Sequence, residues 1–243
     1  MKFSMRRSSG AALVLAGLLA LGACGSGDDT GSSQAKVDAG DVAQRMVAAM
    51  QEAGSGSMTM DTDGDNATGD FRYVDGKLQQ HTTIPTEGGE TEIIAVGDFV
   101  YVKGLPGQAK PWVKIDPKAQ DPVSQMFKGI VEGGISDPTK MADNLKGTQA
   151  TLKSTEGDNT TYEFTVDPAK AMGSEAATPS PSASTPAQPL TITYVLDKED
   201  RPVSIMTKVT QQTFKVSYSD WGKKVEITAP PADQVGPISF PSN

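Results

Sequence analysis

Cysteine, histidine and aromatic residues are scarce here: one Cys, one His and two Trp in 243 residues, with aromatics at 6%. A lone thiol excludes an internal disulfide, a dithiol redox couple and a multi-thiolate metal site. The lone histidine, His81, follows Lys77-Leu78-Gln79-Gln80 and precedes Thr82, and with polar neighbours it reads as a solvated strand residue rather than a base or ligand. No serine sits in a Gly-x-Ser-x-Gly elbow, and Gly54-Ser55-Gly56-Ser57 lacks both that spacing and an acid–base partner. Asp61-Thr62-Asp63-Gly64-Asp65-Asn66 is similar to the start of a calcium loop, yet the twelfth position, where a bidentate glutamate is required, is Arg72. A hydrophilic hairpin turn fits that segment better. The acid pair Glu199/Asp200 flanks a turn and shows no glycosidase-like arrangement. The chain is therefore expected to be no enzyme and to need no metal or cofactor.

Positive charge is also in deficit, 22 basic against 30 acidic side chains for a net of −8. Such a surface repels phosphate, so nucleic acid is not an expected partner. Long apolar runs are missing too. The longest, Ala11–Leu21, has 11 residues, about half of what a spanning helix needs.

What that run does have is the setting of an export signal: Lys2, Arg6 and Arg7 before it, and Leu21-Gly22-Ala23-Cys24 after it. The last four residues resemble a bacterial lipobox. The expectation is a signal peptide over 1–23, removed after general secretion, and lipidation of Cys24. Two or three acyl chains there would hold the protein stably on the outer face of the cell membrane. Removal of 1–23 leaves 19 basic against 30 acidic side chains, a net of −11. Residues 24–36, glycine-rich and polar, should form a flexible lipid-anchored tether with a reach of about 15–20 Å.

Beyond the tether, 37–243 reads as one domain. Val42, Met46, Val47 and Met50 recur at helical spacing between Asp38, a capping residue, and Gly54, a stop. From Ser57 the period becomes two, through Met58/Met60, Phe71/Tyr73, Ile93, Phe99/Tyr101 and Trp112/Val113/Ile115, with Asp75-Gly76 and Gly97-Asp98 as turn signals. Two short helices are expected over 122–131 and 138–145, each opening on a proline. Further hairpins follow: 149–155 with 160–166, 190–197 with 203–210, and 214–219 with 225–228, the last joined by Trp221-Gly222. The proline- and serine-rich stretch 173–189 predicts an exposed, disordered loop. The fold class is α+β.

The order of these elements, together with Tyr194-Val195-Leu196-Asp197-Lys198-Glu199-Asp200-Arg201-Pro202 and Tyr218-Ser219-Asp220-Trp221-Gly222-Lys223-Lys224-Val225-Glu226-Ile227-Thr228-Ala229-Pro230-Pro231, resembles the LppX/LprG family of actinobacterial lipoproteins. The resemblance implies a LolA-like and LolB-like fold, a single strongly curved antiparallel sheet or half-barrel with helices on its concave face. It also implies an apolar space between the layers for the acyl chains of a lipid or glycolipid that is transported or presented. The helix residues Met46, Met50, Met126, Phe127, Ile130, Val131 and Leu145 are the candidates to line it, and the same stripe would also serve as plain core. The alternative is a non-enzymatic sensory or scaffolding lipoprotein that binds an envelope protein partner.

Overall fold

Asp38 starts the first helix as its side chain predicts. Its Oδ1 accepts the backbone N–H groups of Gly40 and Asp41 at 2.8 and 3.3 Å, covering donors that the first helical turn leaves free. Helix α1 (Ala39–Ala53) ends at Gly54, where φ is 77° and the N–H returns to the Met50 carbonyl. The buried face of α1 is Ala39, Gly40, Val42, Ala43, Met46, Val47 and Met50. The computed structural model describes residues 35–62, 65–121, 124, 138–172 and 188–238.

A short strand, β1 (Lys36–Asp38), precedes α1. Behind it, two-residue repeats and tight turns build a meander: β2 (Ser55–Thr62), β3 (Asp65–Val74), β4 (Lys77–Thr86), β5 (Gly89–Val96), β6 (Phe99–Lys103) and β7 (Trp112–Ile115). Helix α2 (Pro138–Leu145) leads to a second meander, β8 (Gln149–Glu156), β9 (Asn159–Val166), β10 (Leu190–Leu196), β11 (Pro202–Val209) and β12 (Gln212–Ser219). A five-residue helix, α3 (Pro168–Met172), follows β9 and was not expected from the sequence. The other expected middle helix, 122–131, lies outside the described residues apart from Ser124, and 173–187 lies outside them as well.

The two meanders join because β12 pairs with β2, with Tyr218 opposite Met58. One sheet of 13 strands results, in the order β1-β8-β9-β10-β11-β12-β2-β3-β4-β5-β6-β7-β13, where β13 is Val235–Gly236. Every pairing is antiparallel except that of β13 with β7. The sheet is open, with β1 and β13 at its ends, and it is curved. A single core cluster takes side chains from β8, β9, β10, β11, β12, β3 and β4 together with α1 and α2. Laid flat, strands from β8 to β4 would extend roughly 35 Å at about 4.8 Å per strand, while a helix with its side chains is only about 10 Å wide. The sheet must wrap around the helices for one cluster to include both. At β2, which contributes no side chain to this cluster, Gly56 makes room: a Cβ there would stand 2.9 Å from Phe71 Cζ.

One expected hairpin does not form. Residues 225–228 do not pair with β12, both of whose edges are taken by β11 and β2. The chain instead turns at Asp220 (φ 53°) and Gly222 (φ 75°) and passes to the opposite, outer face of the sheet. There the Arg72 guanidinium donates to the carbonyls of Val225 and Ile227 at 3.2 and 2.8 Å. Ile227 packs with Ile94, Tyr101 and Trp112, and the segment ends as β13. Its apolar alternation, which reads as a strand, serves as a strap across the sheet.

Candidate functional site

The inner face of the sheet is where the predicted site residues fall. Helix α1 brings Met46 (1% exposed) and Met50 (6%) down onto it, and α2 brings Leu145 (1%). All three join one cluster with Phe71, Phe164, Ile192 and Tyr194. The two helices are held in register by Asp38, whose Oδ2 accepts the Gly147 N–H at 2.7 Å just past the end of α2. That bond, ahead of those from Gly40 and Asp41, holds the Asp38 carboxyl below the ordinary aspartate range. In this arrangement Met46 and Leu145 are buried in the cluster that joins the helices to the sheet. Met126, Phe127, Ile130 and Val131 lie outside the described residues, as does the lipidation candidate Cys24.

Beside these three the structure places a group the sequence reading did not select. Phe71 stands at the centre, its ring 6.4 Å from Tyr73, 5.9 Å from Tyr218 and 5.4 Å from Trp221, each edge-on. Tyr218 and Trp221 stack at 5.8 Å, and Tyr194 meets Phe164 edge-on at 5.1 Å. Such edge-on and offset pairs stabilise by about 0.5–1.5 kcal/mol beyond their burial. The hydroxyls of Tyr73, Tyr194 and Tyr218 point into this apolar surrounding. Burial pushes the Tyr218 phenol up to about 12 and raises those of Tyr73 and Tyr194 as well, with the nearby Tyr218 adding to both. All three are neutral donors at any physiological pH. The available sequence signal was their strand parity: Tyr73 shares a face with Phe71, and Tyr194 with Ile192. A further cluster, Val100, Val102, Val113 and Ile115, extends the buried apolar surface over β6 and β7.

The outer face has a different character. A hollow of about 380 Å³ opens over β2, β3 and β4, walled by Ser57, Thr68, Asp70, His81, Thr83 and Ser219 among others. Lys223 from the strap reaches Ser57 Oγ at 2.5 Å and Asp70 Oδ1 at 2.6 Å, while Ser57 donates to Asp70 at 3.1 Å. The serine oxygen thus accepts a hydrogen bond from an ammonium already paired with a carboxylate, which is the opposite of what a nucleophile needs. His81 Nε2 lies 3.1 Å from Glu92, and Glu92 also binds Lys103 at 2.5 Å. These contacts form a polar cross-strand ladder. His81 is half-exposed, with Glu92 as its partner in this ladder. At the segment likened to a calcium loop, Thr62 stands opposite Asp65 in a β2–β3 hairpin.

No family model matches this chain, and comparison with curated proteins finds no relative. Among solved structures, the lipoprotein LppX of Mycobacterium tuberculosis is similar with 15% identity and a TM-score of 0.50, over 78% of this chain and 97% of LppX. LprF of Mycobacterium bovis is similar with 15% identity and a TM-score of 0.47, over 79% of this chain and 96% of LprF. MucB follows with 13% identity and a TM-score of 0.42, over 81% of this chain and 62% of MucB. At these identities the likeness speaks to architecture. The chain has the fold of the lipoprotein LppX, a LolA-like curved open sheet with helices against its inner face.

Proposed function

We propose that this chain is a lipoprotein, anchored through Cys24 on the outer face of the cell membrane, that holds the acyl chains of a lipid or glycolipid for transport or presentation and catalyses no reaction. The observation that carries this reading is the make-up of the layer interface. An open sheet curls around α1 and α2, and α1 joins the shared core through Ala39, Val42, Ala43, Met46 and Met50. Small residues and methionines make a deformable contact, because unbranched thioether side chains repack around differently shaped partners. The fold shared with a lipoprotein and the lipobox-like Leu21-Gly22-Ala23-Cys24 support the same reading.

Cargo would lie between the inner face of the sheet and α1 and α2. Met46, Met50 and Leu145 then form one wall of the site, and Met126, Phe127, Ile130 and Val131 are proposed to extend it. Burying a sixteen-carbon chain contributes on the order of 10 kcal/mol before ordering costs. Purified residues 25–243 should carry co-purifying lipid, seen by native mass spectrometry and solvent extraction. Recovery of none, together with no uptake of added labelled lipid, would remove the reading. A second reading, a scaffold for an envelope protein partner, is favoured by the burial of Met46 and Leu145 at 1% exposure each. Crosslinking in the envelope would then capture one stoichiometric partner on a lipid-free chain.

A further inference from the structure

Two hydroxyls under the helices have no hydrogen-bond partner among the described residues, those of Tyr73 on β3 and Tyr194 on β10. Tyr194 is 1% exposed, so water outside the fold does not satisfy it, and a buried donor left unmade is destabilising. Natural cores place phenylalanine where a ring alone is wanted; a retained hydroxyl in such a place points to something that binds it. The two lie on opposite sides of Tyr218, whose strand β12 sits midway between β10 and β3 in the sheet order. On a concave face, side chains from separated strands converge as they point inward. Phe71 and Trp221 close the group from the β3 side, and Phe164 closes it from the β9 side.

The chemistry of a fitting ligand follows from what is and is not there. Buried phenols that stay protonated offer donors. No charged side chain is buried among the described residues, so a carboxylate or phosphate would enter without a counter-charge, at a large desolvation cost. A neutral oxygen acceptor attached to apolar chains suits both conditions. We propose that Tyr73 and Tyr194, flanking Tyr218, form a polar foothold that binds the ester carbonyl of an acyl lipid whose hydrocarbon lies along the inner face of the sheet. This deepens the lipid-binding reading and rests on it. The foothold would position the cargo at one depth and favour ester-linked over ether-linked lipids.

The test pairs two probes, 1,2-dipalmitoylglycerol and its dihexadecyl ether, with the wild-type chain and the Tyr73→Phe/Tyr194→Phe double variant. In the wild type the ester should bind roughly tenfold more tightly than the ether, the effect of about one to two hydrogen bonds, and in the double variant the two should bind alike. The lipid-free double variant should melt at or above the wild-type temperature, because neither hydroxyl has a partner to lose. Equal binding of ester and ether by the wild type would overturn the foothold and leave lipid binding standing. Failure of the wild type to bind either probe would overturn both. A lipid-free double variant that melts well below the wild type would show that the hydroxyls hold an ordered water only, and would overturn the foothold as well.

Discussion

Gly69 shows how little room individual residues have in this sheet. A Cβ at that position would stand 2.6 Å from the His81 carbonyl oxygen and 3.0 Å from Met58 Cε. The carbonyl belongs to backbone and cannot turn away, so Gly69→Ala should lower stability by about 1–3 kcal/mol, as overpacking does. Urea unfolding measures this, and an unchanged midpoint would contradict the close approach. Glu92 gives a pH signature. A hydrogen bond from Lys103, followed by one from His81, holds its carboxyl below the ordinary glutamate range. A depressed folded value means the stabilisation is complete above the unfolded pKa and is lost as pH falls through the folded one. Stability measured between neutral and acidic pH should therefore fall less steeply for Glu92→Gln than for wild type, and parallel curves would refute the assignment. That His81 stands partly exposed on a strand was legible from its polar neighbours, whereas its partner was not. Glu92 is eleven residues away, and the two face each other only through the β4–β5 register, His81 beside Ile94 and Thr83 beside Glu92.

Among the elements, α1 and the hairpins were the legible part. Helical spacing over Val42, Met46, Val47 and Met50, with a cap at Asp38 and a stop at Gly54, placed the helix within a residue. Turn pairs such as Asp75-Gly76, both with positive φ, placed the strands around them. The strap was illegible for a physical reason: extended chain with alternating apolar residues looks the same whether its carbonyls go to a neighbouring strand or, as here, to Arg72. The bond from Gly147 to Asp38 was equally hidden, because it joins a helix start to a turn more than a hundred residues on. It has a measurable consequence. In Asp38→Ala, backbone amide exchange should quicken both in the first turn of α1 and at Gly147. Faster exchange confined to α1 would mean that the link between α1 and α2 is not made through this carboxylate.

For the whole molecule, a single cysteine left no internal disulfide to form, and the element order pointed to a curved sheet. How the two meanders merge was beyond sequence patterns, since the β12–β2 pairing unites segments about 160 residues apart, Tyr218 with Met58. The candidate site was the least legible of all. Met46, Met50 and Leu145 stood out by helical periodicity, while Tyr73, Tyr194 and Tyr218 come together only when strands on both sides of that junction curl around the helices. In the proposed function, acyl chains lie between the inner sheet face and α1 and α2. Photo-crosslinking answers it most directly. A palmitoyl lipid carrying a diazirine midway along its chain would be bound to residues 25–243 and irradiated, and the labelled peptides mapped. Adducts are expected at inner-face positions, on Met46, Met50, Leu145 and the β3 and β12 tyrosines. Labels confined to the outer face, around Ser57, His81 and the strap, or saturation of the protein without any inner-face adduct, would contradict it.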